Sequence, residues 1–201
     1  PPRSTLFPYT TLFRSAPVVL TFTQEDRMNP QLNFIFSRRS IRKFTPREIP
    51  ELLLTDLLEA AMAAPSAAAK DPWHFIVLRS RAGLDQLAAL LPNGKMLSEA
   101  TAALVICGDL NLAHDRELSF LLQDLSAAVE NILLAANALG LGACWLGIHP
   151  REERIAAVSR HYSLPENILP AAGIALGWPA QESPARTRYN PDRVHQEGWR
   201  Q

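Results

Sequence analysis

The sequence predicts an α+β domain with a mixed central sheet, helices flanking it, and an extended C-terminal arm. Three observations point there. Four short runs rich in β-favouring residues, at 74–78, 102–107, 143–148 and 168–176, recur along the chain. One long Ala- and Leu-rich segment, from about 118 to 139, repeats apolar residues at three and four. The strands are not separated by helices of equal length, which argues against regular parallel βα alternation.

The elements follow in order. Residues 3–15 repeat Thr-Leu-Phe and carry neither a helical nor a strand period. With Met28 as the first methionine, residues 1–27 read as a non-native or disordered leader and 28–201 as the domain. Leu32, Ile35 and Phe36 give a short first helix an apolar face. After the break at Thr45-Pro46, a second helix starts at Ile49-Pro50-Glu51, with proline in its first turn. Its stripe is Leu53, Leu54, Leu57, Leu58, Ala61 and Met62, and it ends before Pro65. The first strand is 74–78, and a helix over 84–91 stops at Pro92-Asn93-Gly94. The wholly apolar run 102–107 reads as a central strand. Gly140 and Gly142 end the long helix before the third strand. A helix over 150–161 and the strand 168–176 follow, and beyond Gly177-Trp178-Pro179 the chain is Pro- and Arg-rich without periodicity.

Composition excludes several classes. The 201 residues carry 20 basic and 20 acidic side chains, so the basic excess of a nucleic-acid or membrane-surface protein is missing. No uninterrupted apolar stretch approaches the about 20 residues that span a bilayer. The two cysteines, Cys107 and Cys144, sit in apolar runs and read as buried thiols, so a reducing cytoplasm is expected. There is no Cys/His cluster at metal spacing, no Walker loop and no nucleophile elbow. An enzyme without its own nucleophile or metal borrows chemistry from a cofactor.

Four segments carry candidate chemistry. In Arg38-Arg39-Ser40-Ile41-Arg42-Lys43, extended by Arg47, five basic residues fall within ten positions. Arginine forks match phosphate oxygens two at a time and serine adds a donor, although a solvated basic turn or a nucleic-acid patch would share the charge run. In Pro65-Ser66-Ala67-Ala68-Ala69-Lys70-Asp71-Pro72, small side chains would let a flat ring approach the backbone, or would simply form an Ala-rich loop. Gly140-Leu141-Gly142 leads into Trp145-Leu146-Gly147; these glycines follow a helix, so they are not a dinucleotide fingerprint. Arg186 and Arg188 alternate by two, so an extended arm would aim both to one side, toward the same anion or toward solvent.

Taken in order, these segments resemble the FMN-dependent nitroreductase family, from about residue 36 to 199. The resemblance rests on Arg-Arg-Ser-Ile-Arg-Lys-Phe, the Ala-Pro-Ser loop ending in Pro-Trp-His-Phe, the helix containing Ala128-Val129-Glu130-Asn131-Ile132-Leu133-Leu134-Ala135-Ala136, the Gly-Leu-Gly turn and Ala-Leu-Gly-Trp-Pro. It implies a nitroreductase-like α+β homodimer with FMN at the subunit interface. It also implies a ping-pong cycle in which NADH or NADPH reduces the flavin and a small nitro, quinone or similar acceptor is then reduced. By the same resemblance Arg38, Arg39, Ser40, Arg42, Arg186 and Arg188 hold the ribityl phosphate. Pro65, Ser66, Ala67 and Asp71 line the isoalloxazine ring, and the backbone at Trp145, Leu146 and Gly147 approaches it from the other side. No side chain is required as nucleophile or base.

The chain departs from the family in the small-residue loop. Ala69 stands where the family has Asn, and Asp71 where it has Gln or Asn. An ionised carboxylate accepts but cannot donate. The departure predicts weaker FMN binding or a lower flavin potential. It also keeps open a flavin-binding or sensing module without turnover, and relatives that use flavin for dehalogenation, dehydrogenation or flavin breakdown.

Overall fold

The computed structural model describes residues 29–199, so the leader at 1–27 and the expected start at Met28 lie outside the described residues. Four strands form one sheet: β1 (Trp73–Leu78), β2 (Ala102–Asp109), β3 (Gly142–Gly147) and β4 (Ile168–Gly177), in the order β1-β2-β4-β3. All three ladders are antiparallel. Among the described residues the parallel component is the single bridge between Ser40 and Ala143. The helices are α1 (Asn33–Ser37), α2 (Glu51–Met62), α3 (Arg81–Leu90), α4 (Leu118–Ala138) and α5 (Glu152–His161).

The period of two along the central strands sorts the core into two layers. Ala102, Leu104 and Ile106 of β2 and Ala172, Ile174 and Leu176 of β4 pack with Leu54 and Leu57 of α2 and Leu121, Leu125 and Ile132 of α4. Their alternates, Ala103, Val105, Cys107 and Ala175, pack with Leu84 and Leu87 of α3 and Val158 of α5. The sheet is thus covered on both faces, and β2 is buried along nearly its whole length, as a wholly apolar run demands. The 21-residue α4 is long and apolar enough, by composition alone, to cross a membrane, but it packs here against α2 and the sheet.

Several boundaries move for local reasons. Pro50 is the residue preceding α2, not part of its first turn. Helix α3 begins at Arg81 because the Ser80 side chain caps it, accepting from the Gly83 N–H at 3.1 Å. Gly140, at φ 76, takes the left-handed conformation that stops α4. The apolar face expected of the first helix is not covered in the single chain: Leu32 is 40% and Ile35 42% exposed, with Phe34 beside them at 40%.

Candidate functional site

Beyond α1 the backbone at 38–44 runs beside β3. The Ile41 N–H donates to the Ala143 carbonyl at 3.0 Å. So close an approach needs bare backbone opposite: a Cβ on Gly142 would sit 2.7 Å from Ile41 Cγ2, and one on Gly177 2.7 Å from Phe44 Cδ1. The C-terminal arm then returns along the same segment. Thr45 N–H donates to Trp178 at 2.9 Å, Ala180 N–H to Lys43 at 2.9 Å and Arg186 N–H to Phe36 at 3.0 Å. These bonds bring the two arginine groups together. Arg38, Arg39, Ser40, Arg42, Arg186 and Arg188 line one cleft of about 690 Å³.

Among the described residues that cleft is lined by five arginines and no carboxylate. Helix α4 supplies partial relief, with Glu130 Oε1 3.7 Å from Arg38 Nε. Arg39 sits at the centre of the crowding. Burial, then the charges of Arg186, Arg38 and Arg188, hold its pKa below the usual guanidinium value. Its Nη2 is buried without a hydrogen-bond partner among the described residues, while Nη1 donates to the Arg38 carbonyl at 2.5 Å. A buried donor without an acceptor is costly, and the cost falls when an anion enters. A phosphate monoester, with about two negative charges, suits both the orphaned donor and the surplus charge.

A second cleft, of about 570 Å³, shares Arg42 with the first and is lined by Trp145, Leu146 and Gly147. Strand β3 is the sheet edge, and Ala143 already turns its carbonyl outward to Ile41. By the period of two, the backbone groups of Trp145 and Gly147 lie on that same outer edge. Arg154 of α5 fixes the end of the strand, donating from Nη1 to the Gly147 carbonyl at 2.8 Å. Cys144 also borders this cleft but is no nucleophile: burial raises its pKa, and Arg42 offsets that only partly. Burial pushes the Cys107 thiol up to about 12.

Pro65, Ser66, Ala67 and Asp71 line neither cleft. Their loop packs on α4 instead. The Ala67 N–H donates to Asp124 Oδ1 at 2.9 Å. Ser66 Oγ donates to Asp71 Oδ1 at 2.5 Å and accepts from the Asp71 N–H at 2.9 Å. Ala68, Ala69 and Asp71 all have positive φ, at 52°, 52° and 48°. Each such non-glycine residue costs on the order of 1 kcal/mol or more.

Sequence reasoning missed Lys95, Asn93 and Met96, which line the second cleft, and Asp124, which anchors the loop. Lys95 had no signal beyond a turn. Asp124 had one: it lies three residues after Leu121 and four before Ala128, both buried, so a carboxylate occupies the buried stripe, 4% exposed.

The comparisons agree with this architecture. The profile of the nitroreductase family matches residues 35–93 and 88–178. A protein of Methanothermobacter thermautotrophicus assigned as an NADH dehydrogenase/NAD(P)H nitroreductase is 45% identical over 168 residues, covering 84% of this chain and 87% of the relative. A crystal structure so assigned, from Parabacteroides distasonis, superposes with a TM-score of 0.79 at 37% identity, over 86% of this chain and 100% of the other. A structure from Desulfovibrio desulfuricans, assigned as a nitroreductase and solved with FMN, gives a TM-score of 0.73 at 32% identity, over 86% and 99% of the two chains. The α+β sheet, its helical layers and these matches place the chain in the nitroreductase family.

Proposed function

We propose that this protein is an FMN-dependent NAD(P)H oxidoreductase that reduces nitro, quinone or similar small acceptors in a ping-pong cycle. The observation that carries the reading is the carboxylate-free arginine cleft around Arg39, whose Nη2 is buried and unpartnered. FMN supplies the two-electron relay between nicotinamide and acceptor. In this reading Arg38, Arg39, Ser40, Arg42, Arg186 and Arg188 hold its phosphate. The open edge of β3 at Trp145–147 offers backbone groups to the polar rim of the ring, and Lys95 contributes positive charge to the same cleft. Names among the relatives support the reading: NAD(P)H nitroreductase for the methanogen protein, and bound FMN in the Desulfovibrio structure.

A homodimer belongs to this proposal. Pro65, Ser66, Ala67 and Asp71 line neither cleft of their own chain, and Leu32, Phe34 and Ile35 leave apolar surface uncovered beside the arginines. A two-fold partner would cover that surface and bring its 65–71 loop to the ring. A cytoplasmic location is also proposed, in keeping with two free, buried thiols. The test is the absorption spectrum of the purified protein. Anaerobic NADH or NADPH should bleach the flavin bands, and a nitroaromatic or quinone should restore them. Tight FMN that neither nicotinamide reduces would replace this reading with a sensing module.

A further inference from the structure

The 65–71 loop lacks the amide that the resemblance leads one to expect at position 69, where Ala69 stands. It nevertheless keeps three non-glycine residues at positive φ. Two fasteners account for this. One is the reciprocal Ser66–Asp71 pair, in which the hydroxyl donates to the carboxylate at 2.5 Å and accepts the Asp71 N–H at 2.9 Å. The other is Asp124, a buried carboxylate of α4 that receives the Ala67 N–H at 2.9 Å.

We propose that the Ser66–Asp71 pair is a clamp that, with Asp124 beneath it, holds the loop in the form that meets the flavin ring. Asp71 is then a positioning residue and not a ring contact. The chemistry explains the residue type. A carboxylate is a stronger acceptor for a hydroxyl than an amide oxygen and carries no donor to compete for it. Ser66 uses both its donor and an acceptor site on the same partner, so the chain from 66 to 71 closes into a ring. Inside it lie Ala68 and Ala69, and the Ala69 N–H donates to the Ser66 carbonyl at 3.1 Å. With the ring open, the positive-φ residues relax toward ordinary backbone, and the loop surface disperses over many conformations. The inference rests on the reading that this loop borders the flavin.

The test uses Ser66→Ala, which removes both bonds, Asp71→Ala, which removes the acceptor, and Asp71→Asn, which keeps an acceptor oxygen but no charge. Amide hydrogen exchange at Asp71 and Ala69 is measured on flavin-free protein, and FMN affinity by fluorescence titration. Ser66→Ala and Asp71→Ala should each speed exchange and weaken FMN binding by about five- to tenfold, the weight of one or two hydrogen bonds. The double variant should be no worse than Ser66→Ala, since both act on one clamp. Asp71→Asn should fall between the original and Asp71→Ala in both readouts, because a weaker oxygen acceptor remains. Asp71→Asn no better than Asp71→Ala in either readout would overturn the proposal, since an acceptor oxygen alone should restore part of the clamp. Unchanged exchange in Ser66→Ala would also overturn the proposal. Faster exchange with undiminished FMN affinity would show a clamp that does not serve the flavin, and the proposal would fall while the FMN reading stood. A protein that takes up no FMN would defeat the functional reading and this coupling together, and the exchange data would still say whether the clamp exists.

Discussion

Replacing Arg39 by alanine separates phosphate binding from every other role of the cleft. Its guanidinium has a buried, unpartnered Nη2 and is surrounded by Arg38, Arg186 and Arg188. A hydrogen bond to a charged partner contributes about 1.5–3 kcal/mol, which is roughly a 10- to 150-fold change in Kd. Part of that is offset, because removing Arg39 also relieves the repulsion and burial that depress its pKa. Four arginines remain in the cleft, so the lower part of the range, about 10- to 30-fold, is the expected loss. The assay is a fluorescence titration of flavin-free protein with FMN and with riboflavin, which lacks the phosphate. FMN affinity should fall while riboflavin affinity holds, and raised salt should weaken FMN alone. The flavin-free variant should melt no lower than the original, since repulsion has been removed. Equal losses for FMN and riboflavin, or a lower melting temperature without flavin, would refute the assignment of Arg39 to the phosphate.

Lys95→Ala removes a cation from the cleft at Trp145–147 and should lower the midpoint potential of bound FMN by about 20–40 mV in a dye-equilibration titration, since the reduced ring carries the greater negative charge. Gly142→Ala places a methyl against Ile41, and should cost about 2 kcal/mol and several degrees of melting temperature, read by circular dichroism. Asp109 shows a pH signature: burial raises its pKa, but hydrogen bonds from Asn167, Asn111 and Leu112, with His74 nearby, outweigh it and leave the value lowered. A lowered folded pKa stabilises the protein above the unfolded value of about 3.9 and is lost as pH falls through the folded pKa. Melting curves across that acid range should therefore decline less steeply in Asn167→Ala. Finally, in the proposed homodimer with shared sites, mixing Arg39→Ala with Ala67→Trp should restore intact sites, about a quarter of the total on random exchange, read as activity at limiting FMN. Activity that does not rise on mixing would place both shares in one chain.

What was legible from sequence was whatever had a local period. The strands at 74–78 and 102–107 and the long helix lie close to where their patterns put them, because β2 is buried on both faces and α4 carries a broad apolar stripe. The arginine cleft was legible too, though only by joining segments more than 140 residues apart. What closes that distance is the run of backbone bonds from Thr45 to Arg186, which no side-chain pattern announces. Lys95 was invisible for the same reason: its neighbour in the cleft is β3, some fifty positions on, and nearby it sits in an ordinary turn. At the first helix the expected apolar face is present, with Leu32 just before α1 and Ile35 within it, and it stays exposed. A period states that a face is apolar and leaves open what covers it.

The neutrality of the chain sharpens the meaning of the cleft. With 20 positive and 20 negative side chains, a random placement would give any twelve-residue lining a mixture of signs. Here the lining holds five cations, and among the described residues the one carboxylate within ion-pair distance, Glu130, reaches Arg38 and not Arg39. Like charges so placed repel one another, and bare backbone at Gly142 and Gly177 is what lets the segment lie this close to β3 and the end of β4. Structural ion networks spread their charges and pair them; this arrangement does the reverse, which is what the proposed phosphate site requires. The proposed ring side differs in kind: there the backbone edge at 145–147 stands beside Arg42 and Lys95, so hydrogen-bonding backbone and two cations share one cleft.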